Sequence, residues 1–173
     1  MNLNKVSGVL RLNFRYARLE DLDEIVRIYN STIPSRMVTA DLEPVTVEQR
    51  KPWFYEHTND KRPLWVMEVE GEIAGWLSFQ SFYGRPAYEG TVEVSIYLDE
   101  NYRGKKLGEK LLLFAIENCE KYKVKVLLGF IFGHNTPSMK LFKKYGFEAW
   151  GNLERIAVLD GLERDLIIMG KRL

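Results

Sequence analysis

The sequence predicts one α/β domain in which a mostly antiparallel sheet carries helices on its faces, and three observations predict it. The chain has 173 residues, 46% of them hydrophobic and 28% charged, the size and balance of one medium domain that can bury a core. Between Leu64 and Leu98, strand-like segments are separated by turn residues, which reads as an antiparallel meander. Beyond it, the amphipathic stretch Gly104 to Tyr122 precedes the nearly continuous apolar run Val124 to Phe132, the pattern of a helix covering a strand that is buried on both faces.

After an N-terminal extension at residues 1–11, the domain spans residues 12–173. Leu12, Phe14 and Tyr16 alternate with Arg11, Asn13 and Arg15, which predicts a first strand over Leu12 to Arg18. Asp21 followed by Glu24 has the spacing of a capping box, and the helix it opens places Leu22, Ile25, Val26, Ile28 and Tyr29 on one face and ends near Asn30. Ser31 to Val45 holds Pro34 and Pro44 and no sustained period, so it reads as a long loop, and loops of that length tend to carry function. Thr46 caps a second helix carrying Val47, Trp53 and Phe54, with Pro52 expected to divide it. The meander consists of Leu64 to Glu70, Ile73 to Phe82 and Thr91 to Leu98, its first turn at Glu70-Gly71-Glu72. Asn135 to Tyr145 reads as a short helix stopped by Gly146, and two last strands, Phe147 to Leu159 and Leu162 to Gly170, turn at Asp160 and Gly161.

Charge and cysteine content exclude several functions. The 25 basic and 24 acidic residues leave a net charge of +1, so no global field draws the chain to nucleic acid or to an anionic membrane, and neither is an expected partner. The single cysteine, Cys119, excludes an internal disulfide and reads as a packed side chain of the long helix. No apolar run has the length of a secretion signal or a membrane span, and a cytoplasmic protein is the expectation. His57 and His134 lie far apart, read as surface loop residues, and suggest no metal site.

The chemistry is concentrated in Leu98-Asp99-Glu100-Asn101-Tyr102-Arg103-Gly104-Lys105-Lys106-Leu107-Gly108, where a strand runs through a polar turn into the long helix. The first amides of a helix have no intrahelical acceptor and sit at the positive end of its dipole, so such a junction can hold a pyrophosphate. Gly104 and Gly108 keep Cβ atoms out of the way, and the cluster Arg103, Lys105 and Lys106, mildly unfavourable at a helix start, makes sense opposite an anion. The segment matches neither a Walker loop nor Gly-x-Gly-x-x-Gly.

Arg103-Gly104-Lys105-Lys106-Leu107-Gly108 resembles the acyl-CoA pyrophosphate loop of the GCN5-related N-acetyltransferase (GNAT) superfamily. Asn135-Thr136-Pro137-Ser138, Leu141-Phe142 and Tyr145-Gly146-Phe147 resemble its following motif. Ile28-Tyr29-Asn30, Arg85-Pro86-Ala87-Tyr88 and Thr91 to Tyr97 are similar to the phosphinothricin acetyltransferase-like group within it. The resemblance implies a twisted, mixed sheet of about seven strands with about four helices, splayed between the strand at Thr91–Leu98 and that at Val124–Phe132. It also implies acetyl-CoA as co-substrate and a homodimer. The backbone of Ile96, Tyr97 and Leu98 would pair with the pantetheine amides, residues Arg103, Gly104, Lys105, Lys106, Leu107 and Gly108 would hold the pyrophosphate, and Asn135 and Ser138 would contact the arm from the other side.

Transfer to an amine requires loss of a proton that an aliphatic ammonium, with a pKa of about 10, keeps at neutral pH. Glu93 is the candidate general base, since its strand neighbours Val92, Val94 and Ile96 limit its solvation and the resemblance places a glutamate here. A backbone amide between Val94 and Ile96 is the candidate oxyanion donor. Arg85 and Tyr88 are candidates for an acidic group and the apolar body of the substrate. Phe142 stands where superfamily members often carry a tyrosine and this group a histidine, and phenylalanine donates no proton. Lys106 stands where, by the resemblance, the loop usually carries glycine; its Cβ clears the phosphates where the residue is already helical and points outward, and otherwise closes part of the approach. The residues thus read as an enzyme that moves acetyl to the primary amine of a small amino-acid-like molecule by direct attack. Acetylation of a protein or peptide amine, and acyl-CoA sensing without catalysis, are the other readings.

Overall fold

The computed structural model describes residues 10–173; most of the expected N-terminal extension lies outside the described residues. Seven strands, β1 (Leu12–Tyr16), β2 (Leu64–Val69), β3 (Glu72–Ser81), β4 (Thr91–Leu98), β5 (Val126–Phe132), β6 (Glu148–Leu159) and β7 (Leu162–Arg172), form one sheet in the order β1-β2-β3-β4-β5-β7-β6. Every neighbouring pair is antiparallel except β4 and β5, which run parallel. Four α-helices lie among the described residues: α1 (Leu22–Thr32), α2 (Val47–Glu56), α3 (Leu107–Asn118) and α4 (Thr136–Lys144).

The alternation of side chains across each strand gives the sheet two apolar faces, and each has its own core. On one face Val92 and Val94 of β4, Leu127 and Ile131 of β5 and Phe79 of β3 pack with Leu111, Leu112 and Ala115 of α3 and Phe142 of α4. On the other, Val66 and Trp76 pack with Ile25, Ile28 and Tyr29 of α1, and Trp53 of α2 closes the cluster. Cys119 is buried in the first core, as the sequence suggests.

Two tight hairpins match the sequence reading, with Glu70 and Gly71 at φ 54° and 92° and Asp160 and Gly161 at 49° and 78°, the left-handed pair that a two-residue antiparallel turn requires. Thr46 caps α2 in a reciprocal box with Gln49. Three expectations need correction. Asp21 does not cap α1 with its side chain; its carboxylate binds the Arg15 guanidinium at 2.6 and 2.9 Å and the Arg18 amide at 2.7 Å, which ties β1 to the start of α1. Pro52 does not divide α2, which runs unbroken through it. The long helix begins at Leu107 instead of Gly104 and ends at Asn118 instead of Tyr122, because Gly104 (φ 74°) and Lys106 (φ 60°) are left-handed at one end and Lys123 (φ 56°) closes a turn at the other.

The functional consequence of the topology lies between β4 and β5. Their ladder holds Thr91 to Val126, Val92 to Leu127 and Glu93 to Leu128, and then stops. From there β4 continues paired with β3 alone, and β5 continues from Gly129 to Phe132 paired with β7 alone. The sheet is therefore open along its middle on the carboxyl side of Glu93.

Candidate active site

The opening between the strands is a cavity of about 600 Å³ that runs from Glu93 to the start of α3. Main-chain parity decides what β4 offers it. The Thr91 carbonyl accepts from Phe82 and the Asp99 amide donates to Ala74, both on the β3 side. Odd-numbered residues of β4 therefore spend their backbone groups on β3, and the even-numbered Val94, Ile96 and Leu98 face β5; the Tyr97 backbone, expected with Ile96 and Leu98 to pair with the pantetheine amides, faces β3 and not the gap. Past the end of the ladder, the amides and carbonyls of Ile96 and Leu98 have no strand partner, an open edge in the middle of a sheet.

Side chains alternate oppositely. Glu93, Ser95 and Tyr97 point to the α1 face, where Tyr97 stacks on Trp76 with ring centroids 4.3 Å apart and lies 5.0 Å from Tyr29. The Glu93 carboxylate makes no hydrogen bond or ion pair within the described residues, and burial pushes its pKa above the ordinary glutamate value. The wall opposite is Met37, Val38, Thr39 and Ala40 from the segment between α1 and α2, with Phe130 and Phe132 of β5. Phe142 lies 7% exposed and lines the cavity from α4. Its ring approaches β5 this closely because residue 129 is glycine: a Cβ there would sit 2.5 Å from Phe142 Cε1.

At the other end, the amides of Gly104 through Glu109 donate to no acceptor in the described residues, and Lys110 is the first to bond back, to the Lys106 carbonyl. Arg103 and Gly108 line the cavity here. Asp99 holds this turn in place. It is 2% exposed, accepts from the Asn101 amide at 2.7 Å and binds the Arg27 guanidinium of α1. Lys106 is the N-cap of α3, left-handed and exposed, so it is not the already helical residue that one of the two expectations required. A left-handed side-chain-bearing residue costs about 1–2 kcal/mol, and Lys106→Gly is expected to raise unfolding stability by about 0.5–1 kcal/mol once the flexibility of glycine in the unfolded chain is deducted; urea denaturation measures it.

Of the residues singled out in the sequence, Glu93, Val94, Ile96, Tyr97, Leu98, Arg103, Gly108, Asn135 and Ser138 line one cavity. Gly104, Lys105 and Lys106 lie exposed at its mouth, and Leu107 turns its side chain into the core, leaving only its amide. Arg85 and Tyr88 are not among the lining residues: they sit in an exposed turn between β3 and β4, where Tyr88 packs against Phe82 and Tyr83. His57 and His134 are half-buried structural residues, not surface ones: His57 Nδ1 donates to the Trp53 carbonyl and His134 Nε2 to that of Arg36, each at 2.8 Å. Sequence reasoning named Asp99 and Tyr29 only inside longer motifs and missed the anchoring role of the first and the cluster of the second with Thr39 and Asp41, in which the Tyr29 hydroxyl meets Thr39 Oγ1 and donates to Asp41 Oδ2, both at 2.5 Å. Tyr29 reads as core from its helical period, and only its hydroxyl betrays a second role.

Residues 22–147, from α1 to the threshold of β6, match the model of the acetyltransferase (GNAT) family. The chain is 53% identical to YwnH of Bacillus subtilis (strain 168) over 163 residues, 94% of this chain and 99% of that one. It is 30% identical to the L-methionine sulfoximine/L-methionine sulfone acetyltransferase of Pseudomonas aeruginosa PAO1 over 158 residues, 91% and 92% of the two chains. The crystal structure of a GNAT superfamily phosphinothricin acetyltransferase from Sinorhizobium meliloti in complex with AcCoA has a TM-score of 0.87 at 27% identity, covering 94% of this chain and 88% of that one. With the split sheet, the unpaired β4 edge and the unpartnered helix start in place, these similarities are those of a member: the chain belongs to the GNAT family and is one of its N-acetyltransferases.

Proposed function

We propose that the enzyme moves the acetyl group of acetyl-CoA to the primary amine of a small amino-acid-like molecule, with Glu93 as the base. The observation that carries this reading is the position of Glu93: it is the last residue of β4 in the β4–β5 ladder, at the point where the sheet opens, and its carboxylate is desolvated and free of partners among the described residues.

The residues present fit the coenzyme. The unpartnered amides from Gly104 to Glu109, with Arg103 beside them, form an anion-binding helix start for the diphosphate. The unpaired edge at Ile96 and Leu98 offers backbone groups to an amide-bearing arm in the manner of an added strand. When bound, acetyl-CoA supplies an activated acetyl as its thioester. Glu93 then accepts the proton of the incoming ammonium directly or through one water, which its raised pKa suits better than an ordinary carboxylate. The Ile96 amide, facing the gap, would donate to the charge that develops on the acetyl oxygen, which leaves the Ile96 carbonyl and the Leu98 groups for the arm. Phe142 supplies no proton to the departing sulfur, which a thiol pKa of about 8.5 makes tolerable, since the thiolate is a stable leaving group near neutrality.

The enclosing wall of Met37, Val38, Thr39 and Ala40 favours a small acceptor over a protein terminus. A thiol-release assay with acetyl-CoA and a panel of free amines, including L-methionine sulfone, L-methionine sulfoximine, phosphinothricin and a peptide with a free N-terminus, tests the reading. Saturable release with an amino-acid analogue is expected. Release with the peptide alone, or coenzyme binding with no release for any amine, would refute it.

A further inference from the structure

Beyond Glu93 and Leu128 no ladder bond joins the two halves of the sheet, yet a cavity that aligns an amine with a thioester needs its two walls at a fixed spacing. The segment Arg36 to Asp41 spans that gap. On the β4 side it is fixed through α1, where the Tyr29 hydroxyl meets Thr39 and Asp41. On the β5 side two consecutive residues of the β5–α4 loop grip two consecutive carbonyls of the segment: His134 Nε2 donates to Arg36 at 2.8 Å and Asn135 Nδ2 donates to Met37 at 2.9 Å. The Arg36 guanidinium adds a contact of 2.9 Å to Asp160 in the β6–β7 turn.

Asn135 performs two functions with two atoms. Its Oδ1 accepts from the Ser138 amide at 3.2 Å and caps α4, while its Nδ2 holds Met37. The residue is 6% exposed. The same helix cap would form with aspartate, which accepts but cannot donate, so the two functions are separable by a single substitution.

We infer that Asn135, seconded by His134, is a positioning residue for the acceptor amine, holding the segment Arg36–Asp41 across the open ends of β4 and β5 so that this segment, and not the sheet, sets the width of the acceptor side of the cavity. The inference rests on the reading above that an amine occupies this side, and its test is arranged so that the two can fail separately.

In Asn135→Asp the α4 cap survives and the Met37 carbonyl loses its donor. Hydrogen exchange by mass spectrometry is expected to show the amides of residues 36–41 exchanging about tenfold faster than in the parent, the loss of one hydrogen bond to a locally opening segment, with α4 unchanged. With L-methionine sulfone as the acceptor probe, acceptor KM is expected to rise about tenfold and by a larger factor than acetyl-CoA KM, since Asn135 also borders the coenzyme side of the cavity; in His134→Phe, outside that set, acetyl-CoA KM is expected to stay within about twofold. His134→Phe, which keeps the ring stacked on Phe132 and leaves the α4 cap untouched, is expected to shift the same two readouts in the same direction. Unchanged exchange in residues 36–41 for both variants would overturn the inference. So would a rise in acetyl-CoA KM with acceptor KM unmoved, which would make Asn135 a coenzyme ligand instead. If the parent enzyme acetylates no amine of the panel, the proposed function fails, and exchange alone decides the role of the segment.

Discussion

Glu93→Gln is expected to lower turnover by about two to three orders of magnitude, the usual contribution of a positioned base, while leaving acetyl-CoA affinity as it was. The substitution keeps the shape of the side chain and removes only its capacity to take a proton. Burial holds the Glu93 carboxyl above its ordinary pKa, so kcat/KM of the parent enzyme should climb with pH through that raised value, and this limb should vanish in the variant. Stability provides an independent check with a definite sign. A glutamate whose folded pKa is raised contributes stability at pH values below the unfolded pKa of about 4.3 and loses it as pH rises through the folded value. Glutamine carries no charge at any pH. Glu93→Gln is therefore expected to melt higher than the parent at pH 8 and nearly with it at pH 4, which separates a dead enzyme from a misfolded one. A variant with unchanged turnover and an intact pH limb would remove Glu93 from the reaction.

The sequence made the path of the chain legible wherever a local rule decides the structure. The strand alternation at Leu12–Tyr16, the cap at Thr46 and the left-handed pairs at Glu70–Gly71 and Asp160–Gly161 are each set by a few adjacent residues. The strand at Glu93 and the presence of a long helix after the polar turn were legible for the same reason, and the resemblance joined them, although the helix start lies three residues later than its apolar period suggested. What escaped depends on partners distant in sequence. Asp21 has the spacing of a cap, but Arg15 competes for its carboxylate from β1 and offers a charged partner where a backbone amide is neutral. Tyr29 carries a hydroxyl whose acceptor lies in a loop 12 residues on. The resemblance places Arg85 and Tyr88 near the cleft mouth, with a plain surface turn as the alternative; the turn leaves them exposed and outside the cavity lining. The closing segment 36–41 has no period of its own and is defined only by what grips it.

Asp99→Ala is expected to weaken acetyl-CoA binding more than about tenfold and to cost about 2–3 kcal/mol of stability, the range for removing one partner of a buried ion pair, placed low because Arg27 stays half exposed. Asp99 is the joint between three elements. Its amide donates to Ala74 of β3, its carbonyl accepts from Tyr102, and its carboxylate binds the Asn101 amide and Arg27 of α1. Together these contacts fix the turn that delivers Arg103 and the free amides of Gly104 to Glu109. Burial raises the Asp99 pKa, but the Arg27 hydrogen bond and the Asn101 amide outweigh it and hold the carboxyl below its ordinary value. Its stabilisation is therefore complete above the unfolded pKa of about 3.9 and fades as pH falls through the lower, folded value. The stability gap between parent and variant should be full in urea titrations at pH 7 and should close in acid. Asp99→Asn, which keeps an acceptor for Asn101 but no charge for Arg27, should fall between the two in coenzyme affinity by calorimetry. A folded Asp99→Ala protein with the parent's affinity would show that the helix start needs no anchor, and the diphosphate would then be held by the basic side chains at the mouth and not by ordered amides.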